Sequence, residues 1–113
     1  MTEKTVFLLG EADAEKLKSL IPDTEFMVNH DREKGLEFIR KSKLPVDVVV
    51  IVVERHEDGL RLQKFVSKVV RELGDKTKIL ITAEIGFQLL LFADDALYSC
   101  RPQKLADTLR AVA

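Results

Sequence analysis

The sequence predicts an α/β domain in which a five-stranded parallel sheet is covered by helices on both faces. The first observation is residues 48–53, six Val and Ile residues that run without a polar interruption between Asp47 and Glu54. Such β-branched side chains favour strands, and a strand that is apolar on both sides belongs in the middle of a covered parallel sheet. The second observation is residues 60–73, whose apolar side chains recur at helical spacing. Strand-like and helix-like stretches alternate throughout, which indicates right-handed βαβ connections in three layers.

The elements follow one another without an internal repeat or a linker, so residues 1–113 are predicted to form one domain. Asp31 is predicted to cap the second helix, and Pro102 to open the last one. Residues 85–93 are apolar enough to be helix or strand. The predicted strands are residues 5–9, 24–28, 47–54, 78–82 and 96–99, and the predicted helices are residues 11–21, 32–42, 60–73 and 102–112.

Composition narrows the class of protein. The 18 basic and 19 acidic residues give a net charge of -1, so no overall field favours nucleic acid or an anionic membrane. The apolar runs are shorter than a membrane-spanning helix needs, and the single Cys100 cannot form an internal disulfide, which favours the cytoplasm. Side-chain amides are few beside many Lys and Glu, which is typical of a thermophilic source.

Several short strings make the chain resemble the receiver domain of two-component response regulators. Residues 82–84 (Thr-Ala-Glu) are similar to the family's hydroxyl-and-alanine signature after strand four. Residues 93–97 (Ala-Asp-Asp-Ala-Leu), followed by Arg101 and Pro102, resemble the stretch that closes a receiver, and Asp58 with Gly59 resembles the Asp-Gly after strand three. The resemblance covers almost the whole chain. It implies a flavodoxin-like (βα)5 fold with strand order 2-1-3-4-5.

The residues that carry phosphotransfer in that family are mostly missing. The resemblance implies a phosphate-accepting Asp at the end of strand three, but counting from Asp47 gives Val52 and counting back from Gly59 gives Ile51. Neither side chain can accept a phosphoryl group. Among the residues that the family uses for phosphotransfer, the hydroxyl residue at the end of strand four is retained as Thr82.

The metal-binding pair and the lysine are altered as well. The family's acidic pair after strand one becomes Gly10 and Glu11, so at most one carboxylate remains there. The lysine before the last proline becomes Ser99 or Arg101, depending on the alignment. Phosphoryl transfer depends on such charges being in position. We therefore expect a pseudo-receiver: not an enzyme, but a signalling or regulatory module that binds proteins independently of phosphorylation.

An alternative is a domain that binds a small ligand or a divalent metal at an acidic rim. We expect five carboxylates to converge where the strands end, and oxygen ligands of this kind bind divalent cations. Solvated loop acids explain the same pattern without an ion. No cofactor is indicated, because the glycines stand singly rather than in a phosphate-binding motif. The five carboxylates are Glu11, Asp13, Glu54, Glu57 and Asp58.

The predicted interaction surface is the apolar segment of residues 85–92. A helix that packs on one face of a sheet would leave Phe87, Leu90 and Leu91 pointing outward, with Tyr98 at the rim. In receivers, the face formed by helix four, strand five and helix five is a common dimer and effector surface. The resemblance therefore implies a protein partner or a homodimer there. A shifted helix register or an extra strand would instead bury these groups.

Overall fold

The computed structural model describes residues 4–54, 58–74, 76–83 and 97–112. Strands and helices alternate along this part of the chain. The strands are β1 (Lys4–Leu9), β2 (Thr24–Asn29), β3 (Val48–Val52), β4 (Lys78–Thr82) and β5 (Leu97–Cys100), and the helices are α1 (Ala14–Leu20), α2 (Arg32–Ser42), α3 (Gly59–Leu73) and α4 (Leu105–Val112), the last preceded by a 3-10 turn (Pro102–Lys104).

The strands pair in parallel in the order β2-β1-β3-β4-β5. The predicted α/β class and the parallel order β2-β1-β3-β4 are confirmed, with β3 in the centre as its all-apolar sequence required. β5 pairs in parallel with β4 through Leu80 and Tyr98, among other partners. The predicted element at residues 85–93 lies outside the described residues, so the described helices number four rather than five.

Two apolar clusters lie on opposite faces of the sheet, because successive strand side chains point to opposite sides. One face, the α2/α3 face, contains Ile51 and Ile81 among residues from α2 and α3. The other, the α1/α4 face, contains Val50 and Leu80 and packs on α1 and α4. This is the predicted three-layer arrangement. Each face is covered by two of the described helices.

Some predicted boundaries are wrong by a few residues. α1 begins at Ala14 rather than Glu11, because Asp13 is its N-cap and accepts a hydrogen bond from the Lys16 N–H at 3.0 Å. β3 ends at Val52 rather than Glu54. The predicted cap at Asp31 is confirmed, since its carboxylate accepts hydrogen bonds from the N–H groups of Glu33 and Lys34.

Side chains tie the amino ends of the strands together. The Asp47 carboxylate accepts a hydrogen bond of 2.8 Å from the Thr5 N–H, 42 residues away in sequence. The buried Thr77 hydroxyl donates to the Val46 carbonyl oxygen at 3.0 Å. These hydrogen bonds hold the start of β3 against the starts of β1 and β4.

No helix in the described part of the chain is both long enough and apolar enough to cross a membrane.

Candidate functional site

A row of residues crosses the carboxyl ends of four neighbouring strands. Leu9 is the register partner of Ile51, Val52 of Thr82, and Thr82 of Cys100. Ligands of parallel α/β sheets bind beyond this edge, at the point where successive connections leave to opposite faces. The connection after β1 leads to the α1/α4 face and the connection after β3 leads to the α2/α3 face. The region around Gly10 and Val52 is therefore the natural place for a site.

Val52, rather than Ile51, occupies the end of β3. Val52 is the last residue of the strand and the register partner of Thr82, whereas Ile51 is fully buried in the cluster on the opposite face. Val52 is partly buried and packs against the α1/α4 cluster. The side chain at the carboxyl end of β3 is therefore a hydrocarbon.

Gly10 packs tightly against this position. Its φ of +123° lies in a region that L side chains rarely adopt, and its N–H donates to the Asn29 carbonyl oxygen at 2.9 Å. A Cβ added to Gly10 would lie 2.9 Å from the Cβ of Val52. The sharp exit from β1 therefore requires glycine. The sequence showed only that a strand ended at a glycine, not that β3 approaches it so closely.

A cleft of about 540 Å³, the α1 cleft, opens on the α1/α4 side of this row. Its apolar walls come from both helices of that face, and Val52 and Thr82 border it from the strands. Charged side chains at its mouth are Glu11, Asp13 and Lys16, and its apolar helical residues are Leu17, Leu20, Leu105 and Ala106.

Thr82 is the most unusual polar group of this cleft. It is 3% exposed, and its hydroxyl finds no hydrogen-bond partner among the residues that the structure describes. A buried hydroxyl without a partner costs about 1–3 kcal/mol of desolvation free energy. The hydroxyl therefore either destabilises the fold or has its hydrogen-bond partner outside the described residues.

A second cleft of about 700 Å³, the arginine cleft, lies on the α2/α3 side and is bordered by Arg32, Arg61, Glu54 and Asp58. The Arg32 guanidinium lies 4.9 Å from the centre of the Phe65 ring and donates to the Val52 carbonyl oxygen at 3.3 Å. Arg32 thus links α2, α3 and the end of β3. The sequence did not indicate this contact, because its three members are far apart along the chain.

The acidic residues do not converge on one site as predicted. Glu11 and Asp13 border the α1 cleft, whereas Glu54 and Asp58 border the arginine cleft. Glu57 lies outside the described residues. The division follows from the topology, since the loops after β1 and β3 turn to opposite faces. Across the described ranges, no group of three or more His, Cys, Asp or Glu residues could hold a metal ion.

The remaining predicted site residues are separated from these clefts or cannot be placed. Arg101 is exposed between β5 and the turn that precedes α4, and it borders neither cleft. Tyr98 is partly buried and packs against the α1/α4 cluster. Cys100 is partly buried against the same cluster. Phe87, Leu90 and Leu91 lie outside the described residues.

Comparison with protein-family models and with curated proteins found no match to this sequence.

Proposed function

We propose that this protein is a receiver-like module that binds other proteins and does not depend on phosphorylation. The single observation that carries the proposal is Val52 at the end of β3, where a receiver keeps its phosphate-accepting aspartate. The parallel order β2-β1-β3-β4, with helices on both faces, is compatible with a flavodoxin-like fold of this kind. The receiver-like (βα)5 arrangement of the whole chain is part of the proposal.

Phosphotransfer needs a nucleophilic oxygen, and the methyl groups of Val52 have none. The nearby carboxylates of Glu11 and Glu54 do not replace the missing phosphate-accepting oxygen, because they border different clefts and lie outside β3. Arg101 borders neither cleft in the described part of the chain, so this residue does not take the place of the family's lysine there. We propose that such a module regulates its partner proteins by binding them in the cytoplasm. Nucleic acid and membranes are not among its proposed partners.

The direct test is incubation with acetyl phosphate, or with beryllofluoride, in the presence of Mg²⁺. We expect intact-mass spectrometry to show no phosphoryl adduct, and amide NMR spectra of Val52 and Thr82 to remain unchanged with beryllofluoride. A receiver that retains its aspartate serves as the positive control. A stoichiometric, acid-labile phosphoryl group on this chain would refute the proposal.

The proposed docking surface is the face formed by residues 85–93, β5 and α4, with Phe87, Leu90, Leu91 and Tyr98 as contacts. We expect the chain to self-associate there and Phe87→Asp to shift it to a monomer in size-exclusion chromatography with light scattering. Leu60→Asp is the matched control, since Leu60 is 63% exposed on α3, which is not one of the elements of the proposed face. Equal behaviour of the two variants would contradict the choice of surface.

The alternative, a divalent cation or small ligand at one acidic rim, has less support, because the carboxylates lie in two clefts. Calorimetry with Mg²⁺, Ca²⁺ and a nucleotide panel tests it. We expect no heat of binding from any of them. Saturable binding of a cation, lost in Glu11→Gln or Glu54→Gln, would favour the alternative.

A further inference from the structure

We propose that the α1 cleft binds a small organic molecule that has an apolar body, a hydrogen-bonding group and no negative charge. This inference goes beyond the proposed protein-binding function, because it concerns a small molecule in the cleft between α1 and the start of α4 and needs no partner protein. It rests on the size of the cleft, on the position of the Thr82 hydroxyl and on the charges at the mouth.

The cleft has the size and lining of a small-molecule site. Its volume of about 540 Å³ falls within the range of roughly 300–1,000 Å³ that is usual for ligand pockets. Leu17 and Leu105 are buried at its walls, while Leu20 is 46% exposed beside it. An apolar ring or short chain placed there would cover Leu20 and contact Val52. The hydrocarbon at the end of β3 thus becomes part of a binding surface.

Thr82 supplies the polar group of the site. It follows Leu80 by two residues in β4, so its side chain points to the same α1/α4 face. The α1 cleft lies on that face, and Thr82 borders it. The hydroxyl is buried and has no hydrogen-bond partner within the described chain. A bound molecule with a hydroxyl, amide or amine group could supply the missing hydrogen bond.

Among the described residues, the charges at the mouth of the cleft disfavour an anion. Two carboxylates, Glu11 and Asp13, stand against one ammonium group, Lys16. The Asp13 carboxylate also caps α1, so it stays fixed beside the opening. Phosphates, nucleotides and carboxylic acids would meet this negative edge, whereas uncharged or cationic molecules would not.

Benzyl alcohol, benzylamine and benzoate test the proposal, because they share one ring and differ in charge. Each is titrated into the methyl-labelled protein and followed by NMR. We expect saturable shifts at Leu17, Val52 and Leu105 with the alcohol and the amine, and binding at least about tenfold weaker with benzoate. Leu36, in the cluster on the other face, should not shift. No saturable binding of any probe, or tightest binding of benzoate, would overturn the proposal.

Three variants locate the binding. Thr82→Val keeps the shape of the side chain and removes its hydroxyl, and we expect about tenfold weaker binding of benzyl alcohol. Ala106→Phe fills the cleft from α4 and should abolish binding of both the alcohol and the amine. Arg61→Ala alters the arginine cleft and should leave both affinities unchanged. Unchanged affinity in Thr82→Val and Ala106→Phe, or loss of affinity in Arg61→Ala, would overturn the assignment to the α1 cleft.

Discussion

Gly10 and Val52 are in contact across the ends of β1 and β3, with room for no atom between them. A Cβ on Gly10 would lie 2.9 Å from the Val52 Cβ and 3.2 Å from the Val52 carbonyl oxygen. Position 10, where the turn into α1 begins, therefore has no room for a side chain, because Val52 at the end of β3 occupies the space. This contact sets where Glu11 and Asp13 emerge at the rim.

Gly10→Ala should destabilise the protein strongly. The substitution combines a left-handed φ of +123° with a clash against Val52, and we expect a loss of about 2–4 kcal/mol in the free energy of unfolding. Urea denaturation measures it. Gly59→Ala is the control, because Gly59 is the first residue of α3 and is exposed, so alanine there should change stability by no more than about 1 kcal/mol. Similar losses in both variants would show that the contact with Val52 does not matter.

Thr82→Val should stabilise the protein without ligand. Valine preserves the shape and removes a buried hydroxyl that has no partner in the described chain, so we expect a gain of about 1 kcal/mol. Thr77→Val is the matched control, because the Thr77 hydroxyl donates to the Val46 carbonyl oxygen at 3.0 Å. That variant should lose about 1 kcal/mol. Thermal and urea unfolding compare the two, and a loss of stability in Thr82→Val would mean that its hydroxyl is satisfied.

Asp47→Ala should weaken the start of the sheet. It removes the carboxylate that accepts the Thr5 N–H at 2.8 Å, a loss of about 1–2 kcal/mol for a hydrogen bond to a charged group. Hydrogen exchange at the Thr5 amide should become faster, while exchange at Leu80 in β4 should follow only the change in global stability. Asp47→Asn keeps an acceptor oxygen and should recover part of the protection. Unchanged exchange at Thr5 in the alanine variant would contradict the role of this bond.

Glu37 should titrate below the usual range of a glutamate. A hydrogen bond from Lys41 at 2.8 Å, and then the charge of Lys41, hold the pKa of the Glu37 carboxyl below 4.5. Because the folded-state pKa is lowered, this pair stabilises the fold above about pH 4.5, and the contribution is lost as the pH falls through the lowered pKa. NMR titration of the Glu37 carboxyl should show its pKa rising in Lys41→Met and in high salt. An unchanged pKa in that variant would exclude the ion pair as the cause.

The central features of the fold could be predicted from local sequence. Residues 48–52 form a strand that is apolar on both faces, which predicts a position in the middle of a sheet covered by helices on both sides. Asp31 was identifiable as a helix cap by its type and position, and the structure confirms it. The start of α1 was predicted too early because the acidic residues after Gly10 suit a first helical turn equally well. In the structure Asp13 is the N-cap instead, so α1 begins at Ala14.

The site was predicted less well, because it depends on which face each loop turns to. The sequence indicated that acids follow β1 and β3, but only the three-dimensional arrangement separates Glu11 from Glu54. The contact between Arg32 and Phe65 joins two helices whose relative position is set by the sheet. The Thr82 hydroxyl, which has no partner among the described residues, could not be recognised either, since a buried threonine hydroxyl usually has a hydrogen-bond partner.

The hydrogen bonds of Asp47 and Thr77 at the amino ends of the strands affect which positions of this protein can vary in sequence. Asp47 and Thr77 hold the strand register at the edge opposite the two clefts, so the clefts can change their chemistry without loosening the scaffold. A library randomised at the exposed Glu11 and Arg61 should retain folded members in abundance. A library randomised at Asp47 and Thr77 should be depleted of them, which deep sequencing after a protease selection would reveal.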